Sequence, residues 1–201
     1  MNKKDKQIIK DSALVVADQI ASNLPGLNIA WGLSKALYGV GLKLREQRAL
    51  EWVEMVRDNP SVFTEDILKD TTFQDGFVYA LENFIRERGG NKRGIMKKVF
   101  LDYAGSADRE NFELERFYNV LDLLNYEDIR VLRNVDVGRE DFHQVYEDTK
   151  DKNENIYNLV NVGILMSDYS SRVGPIAAPF IKTTKFGRDF VKYLTNEEND
   201  K

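Results

Sequence analysis

The sequence predicts a mainly α-helical bundle with one short β-hairpin near its C-terminal end. Three observations carry this. Proline occurs four times in 201 residues, and the thirteen glycines fall mostly in a few clusters. The long segments between them repeat apolar residues at helical spacing rather than alternating. Only after Gly163 does the pattern change. "GILMSDYSSRVGPIAAPFIKTTKFGRDF" brings two prolines and β-branched residues, the composition of strands joined by a loop.

Taken in order, residues 4–23 read as a helix whose apolar side carries Leu14, Ile20 and Leu24, broken by Pro25-Gly26. A second helix spans 27–56. Its first half is apolar. Its second half is amphipathic, with Leu42, Leu50, Val53, Met55 and Val56 on one side, and Asn59-Pro60 stops it. Residues 61–69 form a short helix. "DTTFQDGFVYALENFIRERGG" is a helix with a double-glycine stop, Asn91 caps the next, and Gly105 closes that one. Phe112, Leu114, Phe117, Val120, Leu121 and Leu124 share a further helical stripe. Asn125 is the candidate N-cap of a helix carrying Ile129 and Leu132, and 139–165 supply one or two more. The hairpin runs out over 164–168 and back over 179–183, and "TKFGRDFVKYL" is a closing helix. The organisation is then a Pro-Gly-broken helical hairpin over 1–45, a helical middle over 46–124, a C-terminal subdomain over 125–195 and a disordered polar tail over 196–201.

A chain of this length can bury a real core. Apolar residues at 42% and charged residues at 31% are ordinary for a soluble globular protein. A formal charge of −4 is too small to dictate a partner, so only local charge informs. The absence of cysteine excludes disulfides, thiolate metal sites and cysteine nucleophiles. His143 is the single histidine, which leaves only all-carboxylate metal sites. No metal and no cofactor is expected. Catalysis is not expected either: His143 sits among polar residues, no serine lies in a G-x-S-x-G elbow, and solvated helix faces explain pairs such as Glu51/Glu54 and Glu113/Glu115. The start "MNKKDKQIIK" is basic, but Asp18 and Gln19 interrupt the apolar stretch after it, so no cleavable signal is expected. The expected location is cytoplasmic, with the periphery of the inner membrane as the alternative.

"LPGLNIAWGLSKALYGVG" (residues 24–41) is apolar with Lys35 as its only charge. Gly26, Gly32, Gly39 and Gly41 match no phosphate-loop motif. A membrane span would have to carry Lys35, and a charge near the bilayer centre costs roughly 2.5–3.5 kcal/mol. A helical hairpin fits better. Gly26, Ala30 and Ser34 are four apart, as are Gly32 and Ala36, and such rows let helices approach closely. With Trp31 and Gly39, these residues are the candidates for oligomer or membrane contact. The hairpin packs on the protein's own core, meets another subunit, or binds a membrane surface through residues 12–42.

A second candidate is "RERGGNKRGIMKK", where Arg86, Arg88, Lys92, Arg93, Lys97 and Lys98 face only Glu87. It reads as an anion- or partner-binding helix start, or as a solvated turn whose cations pair with nearby carboxylates. No aromatic residue interleaves the cations, which weakens a single-strand nucleic-acid reading.

Leu159, Gly163, Ile164 and Leu165, then Thr184, Gly187 and Phe190, give a leucine-bearing helix ending in Gly-Ile-Leu, a hairpin, and a Thr-x-x-Gly-x-x-Phe start to the last helix. Together they make residues 125–194 resemble bacterial winged-helix domains. The resemblance implies a winged-helix-like fold. DNA binding would require cations. The region "REDFHQVYEDTKDKNENIYN" sets Arg139, Lys150 and Lys152 against Glu140, Asp141, Glu147, Asp148, Asp151 and Glu154. The wing offers Arg172, Lys182, Lys185 and Arg188. DNA is therefore disfavoured as a partner.

The helical middle has Phe77, Ala80, Leu81 and Phe84, then Lys92-Arg93, then Phe117, Leu121, Leu124, Asp128, Ile129 and Leu132. With the apolar start and the winged-helix-like end, this order resembles bacterial abortive-infection and prophage-borne proteins of the Abi-alpha type. The long, proline-containing wing departs from that pattern. Membership would imply phage–host conflict and transfers no catalytic residue. The sequence thus points to a non-enzymatic protein that acts through a protein partner, self-association or membrane contact. A winged-helix transcriptional regulator and a phage structural or assembly component are the alternatives.

Overall fold

The computed structural model describes residues 43–135, 141–144, 153–168 and 180–194. The predicted helix over 4–23, the apolar half of the next one, the contact candidates Gly26, Ala30, Trp31, Gly32, Ser34, Ala36 and Gly39, the hairpin loop with Arg172, and the tail lie outside the described residues. Within them the protein is mainly helical, with an antiparallel β-hairpin near the C-terminal end. The chain divides into two compact units, one up to Tyr118 and one from Asn119.

The first unit contains α1 (Lys43–Asp58), α2 (Glu65–Lys69), α3 (Thr71–Arg86) and α4 (Gly90–Gly105), and α5 (Leu114–Leu123) begins in it. In α1, Ala49, Trp52 and Val56 recur at three- and four-residue spacing, and all are buried. The helix stops where expected: the Asn59 side-chain amide donates to the Met55 carbonyl at 2.8 Å and Pro60 follows. The predicted helix over 61–69 is real only over α2. Its first residues form a turn in which the Val62 amide bonds to the Asn59 carbonyl, and Thr64, with extended backbone, is the helix start.

α3 buries Phe73, Phe77, Ala80, Leu81, Phe84 and Ile85 along one face. It ends before the double glycine. Glu87 adopts an extended conformation (φ −67°, ψ 127°), and its carboxylate accepts the Gly89 amide. Gly89 is instead the N-cap of α4 and Gly90 its first residue, so Asn91 lies inside the first turn and does not cap. The orphan carbonyl of Ile85 is taken by Arg48 Nη1 at 2.8 Å, a tertiary partner that makes a glycine stop unnecessary.

An aromatic cluster fills the unit. The Trp52 ring lies 4.7 Å from Phe100, 5.1 Å from Phe84 and 5.8 Å from Phe77, and Phe63, Phe73 and Tyr103 extend the group. Full burial of each such ring contributes roughly 1.5–3 kcal/mol. Tyr103 packs on α3 at Gly76, where any Cβ would run into the hydroxyl end of its phenol ring. Its hydroxyl donates to the Thr72 carbonyl, and burial pushes the phenol up to about 12. Tyr118, also buried, donates to the Met96 carbonyl at 2.9 Å.

Asp70 joins three pieces of this unit. Its carboxylate accepts the Thr72 and Phe73 amides at 2.9 and 3.3 Å, capping α3. Arg109 donates to it through Nε and Nη2 at 3.0 and 2.8 Å. The same guanidinium reaches the Ala104 and Ser106 carbonyls at the end of α4.

The second unit carries α6 (Tyr126–Arg133), β1 (His143–Gln144), α7 (Asn153–Asn161), β2 (Leu165–Asp168), β3 (Phe180–Thr183) and α8 (Lys185–Val191). The hairpin sits within a residue of its predicted limits, with Leu165 opposite Thr183 and Asp168 opposite Phe180. Leu165, Ile181 and Thr183 point inward. β1 was not predicted. His143 and Gln144 lie in a stretch read as helix, yet they pair with Ile181 and Phe180, giving the strand order β1-β3-β2. The free edge of β3 recruits them, a non-local pairing with no local signal. Among the described residues of this unit the order is helix, edge strand, helix, hairpin, helix.

Two outcomes test this unit-level picture. Gly76→Ala should lower stability to urea by about 1–3 kcal/mol, because Tyr103 must leave its seat. The Asp70 carboxyl is held below its ordinary value of 3.8, chiefly by the hydrogen bonds from Arg109, with burial opposing and the two amides helping. Its stabilising effect is therefore complete above that pH and lost as pH falls through the lowered folded value. The gap in urea midpoint between wild type and Asp70→Asn should shrink on acidification below about pH 4.

Candidate functional site

The hairpin end of the second unit is held by a junction of three segments. α7 closes in a Schellman motif: the Ile164 amide bonds to the Leu159 carbonyl and the Gly163 amide to the Val160 carbonyl, both at 3.0 Å. Gly163 has φ 78°, the conformation that favours glycine. Across the hairpin, the Thr184 amide donates to the Ile164 carbonyl at 3.0 Å. Thr184 Oγ1 lies 2.7 Å from the Gly163 carbonyl and accepts the Gly187 amide at 2.9 Å, capping α8. Gly187 meets the Ile164 carbonyl so closely that no Cβ fits between them. Leu159, Ile164, Leu165 and Phe190 are buried around this junction. The seven residues that carried the winged-helix resemblance are thus in or beside one structure, the base of the hairpin.

A second fastener is Asp128, which is fully buried. With Asn125 it forms a reciprocal capping box: Asp128 Oδ2 accepts the Asn125 amide at 2.8 Å, and Asn125 Oδ1 accepts the Asp128 amide at 2.9 Å. The carboxylate also accepts the side-chain amides of Asn155 at 2.8 Å and Asn158 at 2.6 Å, both from α7. One carboxylate therefore starts α6 and fixes the rotation of α7 against it.

That rotation decides what α7 presents. Ile156 and Leu159 face the core, Asn155 and Asn158 face Asp128, and Glu154, Tyr157 and Asn161 are exposed. The helix bears no cation. Of the wing cations, Lys182 is half-buried on β3, Lys185 is exposed at the start of α8, and Arg188 donates to the Thr183 carbonyl at 3.1 Å. His143 is in β1.

The basic group of the first unit is spread over the α3–α4 turn and along α4. Arg86 is exposed and donates to Asn83 Oδ1 at 2.9 Å, and Arg88 is exposed. Arg93 is tied to Glu51 of α1 through Nε at 3.0 Å and Nη2 at 3.3 Å, and its Nη1 reaches the Arg88 carbonyl. Arg93 and Lys97 both lie near the Phe84 ring, 5.9 and 5.5 Å from its centroid, within cation–π range. Lys92 is half-buried, and Lys98 Nζ is sealed from solvent with no hydrogen-bond partner. The six cations are therefore not gathered around one point: Arg93 fastens α4 to α1, while Arg86 and Arg88 face solvent.

Sequence reading missed the ion pairs Glu51–Arg93 and Asp70–Arg109. Their partners are 42 and 39 residues apart, so no local pattern announces them. The Asn125-x-x-Asp128 spacing was a legible capping signal, whereas the arrival of Asn155 and Asn158 was not. Among the described residues, no group of three or more His, Asp or Glu side chains could hold a metal ion, and no helix is long and apolar enough to cross a membrane. Comparison with family models, with curated proteins and with solved structures finds no match.

Asp128→Ala should cost about 3 kcal/mol or more in urea unfolding, since it strands one backbone amide and two side-chain amides. Gly187→Ala should cost about 2 kcal/mol, because the obstacle is a backbone carbonyl. Gly105→Ala, where a Cβ meets nothing within 4 Å, is the matched control and should leave stability equal or slightly higher.

Proposed function

We propose that this chain acts by binding a protein partner or a second copy of itself, without catalysis, and that its setting is phage–host conflict. The setting rests on the sequence resemblance to Abi-alpha-type proteins alone. The mode of action rests mainly on α7. In a winged-helix-like unit this is the helix that would enter a DNA groove, yet it carries a carboxylate and no cation outward. Its Asn155 and Asn158 amides, the groups suited to reading base edges, are taken by Asp128. In the first unit, Arg93 is committed to Glu51. These features favour a protein partner over nucleic acid. The apolar segment over residues 12–42 is the proposed contact element, toward another subunit or a membrane surface.

The rival reading, a DNA-binding regulator, draws on the strand order and on Lys182 and Lys185. Fluorescence anisotropy with duplex DNA separates the two. The expected result is no salt-steep binding, and no change on Lys182→Glu or Lys185→Glu. Full-length protein should self-associate in light scattering or float with liposomes, and Gly32→Leu or Ala36→Leu should abolish that behaviour. Tight duplex binding that weakens steeply with salt and falls in the two lysine variants would overturn the proposal in favour of the regulator.

A further inference from the structure

We draw no further inference here: the strongest candidate, the outward stripe of Glu154, Tyr157 and Asn161 along α7 in the second unit, is an acidic helix face, and nothing in the structure shows what covers it.

Discussion

Every α-helix leaves four amides and four carbonyls without partners inside the helix, and burying them unmet is costly. In this protein the ends of short helices are packed into the two units, so side chains must reach them. Asp70 caps α3 and recruits Arg109, which in turn covers the end of α4. Arg48 closes α3 from α1. Asp128 opens α6 and holds α7, the Gly163 and Ile164 amides close α7, and Thr184 opens α8 while bonding to the Gly163 carbonyl just past that end. The hydrophobic cores supply most of the driving force. The fastening of helix ends decides where each helix stops and how it is rotated.

This requirement reshapes the charge that the protein shows to a partner. Counted along the chain, residues 86–98 look like a basic site. Folded, Arg93 is an internal tie to Glu51, and Lys97 lies against Phe84. In the second unit, Arg188 serves a backbone carbonyl, and two asparagines of α7 turn toward a buried carboxylate. A polar group engaged inside the fold cannot bind outside it without leaving its first partner bare, and a bare buried group costs about 1–3 kcal/mol. Of the residues considered as binding groups, Arg86, Arg88 and Lys185 remain exposed, as do Glu154 and Tyr157 on α7.

Glycine appears in two tertiary roles that spacing alone does not separate. Gly76 and Gly187 are helical and could be alanine as far as helix propensity is concerned. Each is occupied from outside, Gly76 by the Tyr103 ring and Gly187 by the Ile164 carbonyl. The first seats the aromatic core of one unit on α3. The second brings the hairpin base against α8 in the other. Gly163 differs, because its backbone conformation itself favours glycine at the end of α7.

Sequence by itself determined the helical class, the stripes of α3 and α5, the Asn59-Pro60 stop, the Asn125 cap and the hairpin to within a residue. These features depend on neighbours a few positions apart: the helical period, a side chain that reaches its own backbone, or a proline without an amide. Tertiary structure decided the rest. In α1 the buried side is that of Ala49 and Trp52 with Met55 and Val56, and the expected Leu50 and Val53 are half-buried. Gly89-Gly90 opens α4 instead of ending α3 because Arg48 supplies the Ile85 carbonyl with a partner from another helix. His143 and Gln144 are a strand because β3 offers them an edge. The basic run is split, and the face of α7 is chosen, by Glu51 and Asp128, residues 42 and about 30 positions away from the groups they hold. Contacts closed over such distances leave no period in the chain, since what selects them is the geometry of packed helices.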